Sequence, residues 1–311
     1  MNRFTKYALT LAITAGCVAC KAQELQTSFY VLGQPNQFQL FMSGDAGNDI
    51  YATRDMKNRV VFIHLTSGDG SCSPGAILNT PYYEAREAGT RKAIQLMATY
   101  EHTPGGQDWP LWFDVWEHRA NTENLSFNGH SIQRKQYKNV YCYYLRLPDG
   151  CGSKGLHGES MAYLRDGHIS SVTAIDGSTT YHSWADLTGT LNAIMNYEIS
   201  KCSDTAKAWL HVADTDTSIN PGDHADNIAA AQAGMEAFST VAQKHAVHMH
   251  QEFSTAALPE NEPADQIAKR AAMYAAADYA ATSLSEPSRW SSADLIFLSR
   301  AYARTVFYHN K

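Results

Sequence analysis

The sequence predicts an α/β fold in which helices cover both faces of a mainly parallel sheet. Two observations support this prediction. Several short runs are apolar over their whole length, as strands buried on both faces are, and helical stretches separate most of them, as crossovers between parallel strands require. The composition agrees, since 44% of the 311 residues are hydrophobic and 18% are charged. The net charge of -6 and the lack of basic runs argue against nucleic-acid and anionic-membrane partners.

Four strands of this sheet are predicted at residues 27–32, 59–66, 139–147 and 207–212. Residues 109–137 are rich in aromatic side chains and alternate in places, so they are interpreted as an inserted hairpin or a small antiparallel edge. Helices are predicted at residues 81–100, 183–199, 228–246, 264–281 and 292–307. These elements predict a three-layer α/β/α sandwich with a Rossmann-like, mainly parallel sheet, an inserted hairpin and C-terminal helices.

The first 22 residues have the pattern of a secretory signal peptide. Two basic residues precede an apolar stretch, residues 7–15, and small residues follow it. Cleavage after Ala22 would leave residues 23–311 as a single domain. Thr14-Ala15-Gly16-Cys17 also resembles a lipobox, so free secretion and a lipid anchor at Cys17 both stay open. We expect an exported protein that is periplasmic, a cell-surface lipoprotein or extracellular, and we predict no transmembrane segment.

Four cysteines would remain after cleavage: Cys72, Cys142, Cys151 and Cys202. They can oxidise in an exported protein, and three pairings are open. Their spacing is not that of a C-x-x-C site, so a structural zinc site is not predicted.

Four motifs follow one another along the chain. Three come at the ends of predicted strands, the edge where ligands bind in such sheets, and the third opens the first predicted helix. They are Gly-Gln-Pro-Asn-Gln at residues 33–37, His-Leu-Thr-Ser-Gly-Asp-Gly at 64–70, Tyr-Tyr-Glu-Ala-Arg-Glu-Ala-Gly at 82–89 and Gly-Asp-His-Ala-Asp-Asn at 222–227. This order resembles the PIG-L/LmbE-like family of zinc-dependent N-acetylglucosamine deacetylases, whose hallmark motifs are His-Pro-Asp-Asp and His-x-Asp-His. Residues 145–150 and 175–181 are similar to a secreted bacterial branch of that family.

The resemblance implies a zinc site whose ligands this sequence lacks. The family's zinc-ligand positions are occupied here by Gln34, Gln37 and Asn227, and the position of its general base by Asn36. His224 and Asp226 match the first His and the Asp of the second hallmark motif, which serve catalysis in the family.

Neutral side-chain amides are poor substitutes for zinc ligands and for a general base. Zinc prefers imidazole, thiolate and carboxylate ligands, and without the metal the pKa of an attacking water is not lowered. An amide at position 36 cannot accept a proton near neutral pH. We therefore expect no bound cofactor, and an inactive or weakened deacetylase relative that binds an N-acetylated sugar or glycan. Two alternatives stay open: an active metal-dependent deacetylase with a zinc site rebuilt from residues such as His224, Asp226 and Asp45, and a carrier whose pocket has no role.

Two candidate substrate-binding residues also have structural interpretations. Arg86 matches a substrate-contacting arginine of the family, but an ion pair with Glu84 or Glu87 would explain it as well. Asp69 forms either part of the pocket floor or an ordinary turn. His224-Ala225-Asp226 is in addition a pattern typical of a helix cap.

Histidines other than His224 are expected to be structural. His64 lies in a buried strand and is expected to be a hydrogen-bonded core residue. His245, His248 and His250 are expected to form a surface cluster rather than a replacement metal site. The aromatic residues Trp109, Trp112 and Trp116 either stack on sugar rings or pack in the core.

The motif alignment predicts that reversion restores the metal site. A variant carrying Gln34→His, Asn36→Asp, Gln37→Asp and Asn227→His should bind zinc, because the imidazole and carboxylate ligands return together. Zinc content after dialysis measures this. A folded quadruple variant that takes up no zinc would show that the motifs are misplaced.

Overall fold

The computed structural model describes residues 25–52, 58–68, 81–102, 121–150 and 159–308. Its strands are β1 (Gln26–Leu32), β2 (Asn58–Thr66), β3 (Asn121–Phe127), β4 (His130–Tyr137), β5 (Val140–Leu147), β6 (Val172–Thr173), β7 (Thr180–Tyr181), β8 (Lys207–Ala213), β9 (Lys244–His250) and β10 (Ala303–Phe307). Its helices are α1 (Gln37–Phe41), α2 (Ser43–Ala52), α3 (Tyr82–His102), α4 (Met161–Arg165), α5 (Trp184–Ile199), α6 (Ala225–Ser239), α7 (Ala264–Thr282) and α8 (Ser292–Leu295), with a 3₁₀ turn at Phe253–Ala257.

The main sheet has eight strands in the order β10-β9-β8-β1-β2-β5-β4-β3. Strands β9, β8, β1, β2 and β5 are parallel, whereas β10 at one edge and the β3–β4 hairpin at the other are antiparallel. The carboxyl ends of the parallel strands therefore meet at one edge of the sheet, and the loops that follow them face the same region. This confirms the predicted α/β class with its mainly parallel sheet and inserted hairpin.

Alternating side chains of β1 belong to two cores. Phe29 and Val31 face the layer formed by α5 and α6, whereas Tyr30 and Leu32 face the layer formed by α1, α2, α3 and α7. A strand that is buried on both faces is apolar at nearly every position, which is the signal that predicted it.

Three predicted regions differ from the structure. The helix predicted at 228–246 ends at Ser239, and its last residues belong to β9; the helix predicted at 292–307 is the short α8 followed by β10. Pairing of β9 with β8 and β10 outweighs the local helical pattern. Residues 33–49, for which the sequence predicts no helix, contain α1 and most of α2.

Several predictions lie outside the described residues: the signal peptide with Cys17, Asp69, the three tryptophans at 109, 112 and 116, Cys72 and Cys151. Of the other two cysteines, Cys142 carries a buried free thiol, whose pKa is raised to about 12 by burial. The Cys202 Sγ atom lies 3.0 Å from the Thr27 hydroxyl oxygen. In the described part of the chain, no helix is both long and apolar enough to cross a membrane.

A buried carboxylate joins the sheet to α5. Glu198 is fully buried and accepts hydrogen bonds from the guanidinium groups of Arg59, at 2.5 Å, and Arg134, at 2.8 Å. It also contacts the Tyr143 hydroxyl. Because these partners come from β2, β4 and β5, one carboxylate fixes the helix against three strands.

Removal of this carboxylate should destabilise the fold strongly. Glu198→Ala removes the buried carboxylate that Arg59 and Arg134 share and leaves Arg134 with Glu123 as its acidic partner. We expect the free energy of unfolding to fall by about 3–5 kcal/mol in denaturant titration. Asp204→Ala, a change of an exposed acid shortly after the same helix, is the control and should stay within about 0.5 kcal/mol of the parent. Equal effects of the two substitutions would contradict this account.

Candidate functional site

The structure brings the first and last motifs together. Gln34 and Gln37 follow β1, whereas His224, Asp226 and Asn227 open α6 after β8. The Gln34 Nε2 and His224 Nε2 atoms lie 3.3 Å apart. The adjacency of β1 and β8 in the sheet explains this meeting of two loops that are distant in sequence.

Close approach of the two loops requires a glycine at position 33. A Cβ atom there would lie 2.6 Å from Asn227 Oδ1 and 2.6 Å from the backbone carbon of Asp226. The Gly33 backbone N–H donates to Gln37 Oε1 at 2.6 Å, which holds the Gln37 amide in place.

A carboxyl group from a third strand end lies between the two motif loops. Glu252 follows β9 and is fully buried. The Gln37 side chain donates to its Oε1 at 2.6 Å, and the Asn227 side chain donates to its Oε2 at 2.6 Å. The loops after β1, β8 and β9 are thus joined by one carboxyl group; we call this arrangement the Glu252 bridge.

The Glu252 bridge does not suit zinc at the matching family positions. The Gln37 amide oxygen accepts from Gly33, and its N–H group donates to Glu252. Asn227 directs its N–H groups to Glu252 and Asp223. A cation needs lone pairs from its ligands, whereas these amides use their donors toward the shared region. The residues present therefore do not fit a zinc ion at these positions.

Glu252 shares its buried environment with a second carboxyl. Burial raises the pKa of Glu252 well above its usual range, and the neighbouring Asp223, with which it forms a hydrogen bond, raises it further. Burial also raises the pKa of Asp223. A hydrogen bond between two carboxyl groups requires a proton on one of them, and the stronger upward shift of the Glu252 pKa favours Glu252 as its carrier.

Three polar side chains, Gln34, Asp149 and His224, form the rim of the site. His224 is the N-cap of α6, where its Nδ1 accepts from the Asp226 backbone N–H at 3.1 Å, so the cap interpretation is confirmed. Its Nε2 lies 3.9 Å from Asp149 Oδ1, and the Gln34 amide lies 3.4 Å from Asp149 Oδ2. Asp226 itself is fully buried and accepts from the Gly150 backbone N–H at 2.8 Å.

Asn36 and Arg86 line a different, small cavity together with Glu286. Arg86 forms an ion pair with Glu286 at 3.3 Å, so its expected pairing with Glu84 or Glu87 is wrong. The long-range partner comes from the segment after α7, which local sequence spacing cannot reveal. The Asn36 Oδ1 atom is buried and has no hydrogen-bond partner among the residues that the structure describes.

His64 is a core residue, but it is not hydrogen-bonded as expected. Neither ring nitrogen has a hydrogen-bond partner within the described ranges. Burial lowers its pKa to about 3, so the ring is neutral. The Tyr144 ring stacks on it at 5.2 Å, which explains its place in an apolar layer.

A second polar cluster lies on the sheet face that α2 covers. It consists of Asp45 and Asp49 of α2, His211 of β8 and His250 of β9. His250 is buried, so the expectation of a surface cluster is wrong for this residue. Burial, with His211 next, lowers the pKa of His250 well below its usual value and leaves it neutral near pH 7. Asp45 belongs to this second cluster, so it does not lie with His224 and Asp226 as the rebuilt metal site would require. The acid that lies with those two residues is Asp149.

Comparisons with known proteins show remote likeness to solved structures. No family model matches the chain, and no curated protein matches it. Among solved structures, the N,N'-diacetylchitobiose deacetylase from Pyrococcus horikoshii, complexed with its inhibitor MPG, matches with a TM-score of 0.42 and 11% sequence identity. The match covers 81% of this chain and 69% of that chain.

Two site residues were missed in the sequence. Glu252 follows β9, a strand that the sequence does not predict, so its position at the ligand-binding edge is not expected. Asp149 lies in Pro148-Asp149-Gly150, a pattern typical of a turn that ends a strand. Its position after a parallel strand is the signal that could have found it.

The raised pKa of Glu252 predicts a pH-dependent contribution to stability. The folded state keeps a proton that the unfolded chain releases above about pH 4.5, so this group's stabilisation is present below that pH and is lost as pH rises toward the folded pKa. Glu252→Gln removes the titration. We expect the stability advantage of the parent over this variant to shrink as pH rises above about 4.5, by up to about 1.4 kcal/mol per pH unit.

Chemical denaturation at several pH values measures this difference. Glu252→Gln also costs one acceptor, because its amide N–H₂ replaces an oxygen that accepts from Gln37 or Asn227, and this loss sets a constant offset. A difference that stays constant from pH 4 to 8 would contradict a protonated Glu252.

Proposed function

We propose that this chain binds a neutral N-acetylated sugar at the rim formed by Gln34, Asp149 and His224, and does not hydrolyse it. The Glu252 bridge is the observation on which this proposal rests. It ties two of the three positions that would ligate zinc in the resembling family into a hydrogen-bonded unit. The residues at these positions therefore do not support zinc-dependent hydrolysis, whereas the rim keeps polar groups that can bind a ligand.

Asn36 gives a second argument against hydrolysis. An amide does not accept a proton from water near pH 7. Asn36 lines the cavity of Arg86 and Glu286, and its side-chain oxygen is buried. A hydrolytic reaction at the rim would need a different base.

The rim chemistry favours a neutral, hydroxyl-bearing ligand. The amide of Gln34 both donates and accepts, Asp149 accepts, and the half-buried His224 offers a ring nitrogen. Such groups match the hydroxyl and acetamide groups of an N-acetylated sugar. The two carboxylates, Asp149 and Asp226, disfavour an anionic ligand, and Arg86 is engaged by Glu286 elsewhere.

Export is part of the same proposal. Residues 1–22 would direct the chain out of the cytoplasm, and residues 23–311 would form one domain that meets glycans outside it. Cys17 would anchor the protein if its lipobox is used.

A rebuilt metal site is the alternative function. Asp149, His224 and Asp226 each place one potential ligand atom within 4.8 Å of the others. Hydrogen bonds compete with this use, because His224 Nδ1 accepts from the Asp226 backbone and Asp226 accepts from Gly150. A metal bound there would support an active deacetylase.

Titration calorimetry of the full-length chain with N-acetylglucosamine and N,N'-diacetylchitobiose tests the proposal. We expect binding of at least one of them in the presence of a chelator. Asp149→Asn should weaken it about tenfold or more, because hydrogen bonds to a charged acceptor contribute about 1.5–3 kcal/mol. The exposed His182→Ala variant is the matched control for His224→Ala and should bind as the parent does.

Acetate release by the same samples separates the two functions. Binding without acetate release agrees with the proposal. Zinc-dependent acetate release that is lost in His224→Ala would establish the rebuilt site, and absence of any sugar binding would reject the proposed function.

A further inference from the structure

The second polar cluster has the arrangement of a metal site. Three ligand atoms face one another: Asp45 Oδ2, His211 Nδ1 and His250 Nε2. The two ring nitrogens lie 3.2 Å apart, and they lie 3.8 Å (His211) and 3.7 Å (His250) from the Asp45 oxygen. Ligand atoms bound to a tetrahedral zinc at about 2.0–2.1 Å lie about 3.3 Å from each other, so the triangle needs only a small contraction to hold an ion.

The other nitrogen of His211 has the support that metal-binding histidines have. His211 Nε2 lies 3.3 Å from Asp49 Oδ2, and the Tyr30 hydroxyl donates to the same oxygen at 2.6 Å. A carboxylate beside His211 Nε2 favours the tautomer with its proton on that nitrogen, which leaves the Nδ1 lone pair directed at Asp45 and His250.

Stacking fixes the plane of the same ring. Its centroid lies 4.2 Å from that of Tyr30 and 4.7 Å from that of His248, which stand at the same level on the two neighbouring strands. The ring is therefore held in position before any ion arrives, which lowers the ordering cost of binding.

The cluster is open to solvent on one side. A cavity of about 240 Å³ is lined by Asp45, Asp49, Trp209, His211 and His248, with Gln26 and Asn48 at its border. Asp45 keeps 44% of its side chain exposed, whereas His250 keeps 4%. Three protein ligands and an accessible fourth position distinguish an open site from a closed structural one.

We propose that Asp45, His211 and His250 bind a divalent first-row transition-metal ion, with Asp49 and Tyr30 holding His211 in its ligating orientation. Two imidazoles and one carboxylate suit zinc, and also iron, nickel and copper. The proposal is independent of sugar binding at the rim, because the two groups share no residue.

Zinc titration of the metal-free, full-length chain tests the proposal. We expect one zinc per chain, with affinity reduced at least 100-fold in Asp45→Asn and in His250→Gln. Asp49→Asn should reduce it about 10–100-fold, as loss of a hydrogen-bonded support to a ligating histidine does. Asp45 is half-exposed on a helix, so its variant keeps the proposal testable if the buried His250→Gln fails to fold.

Two histidine variants serve as controls. His245→Gln changes a histidine on the same strand outside the ligand triangle, and His224→Gln changes the rim; both should bind zinc as the parent does. The d–d absorption of bound Co²⁺ gives a second readout, which should be lost in Asp45→Asn and kept in His224→Gln.

The outcomes separate this site from the rim. No zinc binding by the parent would overturn the proposal and leave sugar binding untouched. Zinc that survives Asp45→Asn but is lost in His224→Gln would also overturn it, and would place the metal at the rim instead.

Discussion

The candidate site depends on one buried carboxyl group. Glu252 accepts hydrogen bonds from Gln37 and Asn227, and it also forms a hydrogen bond with Asp223. These contacts bind together the loops that follow three neighbouring strands, β1, β8 and β9. A buried polar network of this kind is stable only when each member keeps its partner, so replacement of one member affects all of them. Amides at positions 37 and 227 satisfy a neutral carboxyl without introducing further charge.

The same sheet therefore carries two polar regions with different chemistry. At the carboxyl ends of β1 and β8, neutral amides surround the buried Glu252 carboxyl, and Gln34, Asp149 and His224 form the rim beside it. On the sheet face that α2 covers, the imidazoles of His211 and His250 converge with the carboxylates of Asp45 and Asp49. The Asp49 carboxylate lies beside His211 Nε2 and supports that ring. The first region suits a neutral ligand that is held by hydrogen bonds, and the second suits a cation.

Much of the fold was predictable because strand burial and helix periodicity are local signals. β1, β2, β5 and β8 were predicted, and so was the meeting of the loops at residues 34–37 and 224–227. β9 was not, because the helix predicted at residues 228–246 extends over its first three residues, and pairing with β8 shows that they form a strand. That one error hid both Glu252, which follows the strand, and the proximity of His250 to His211. The Arg86–Glu286 pair was equally invisible, since contacts between distant segments leave no pattern in sequence spacing.

The most direct measurement is anomalous X-ray scattering at the zinc edge from crystals soaked in zinc. It locates metal without reference to activity. The account predicts that Glu252 stays hydrogen-bonded between Gln37 and Asn227, with no anomalous peak within coordination distance of Gln34, Gln37 or Asn227. A zinc peak bonded to any of these three side chains would contradict the central claim, because the Glu252 bridge would then have opened to admit the metal.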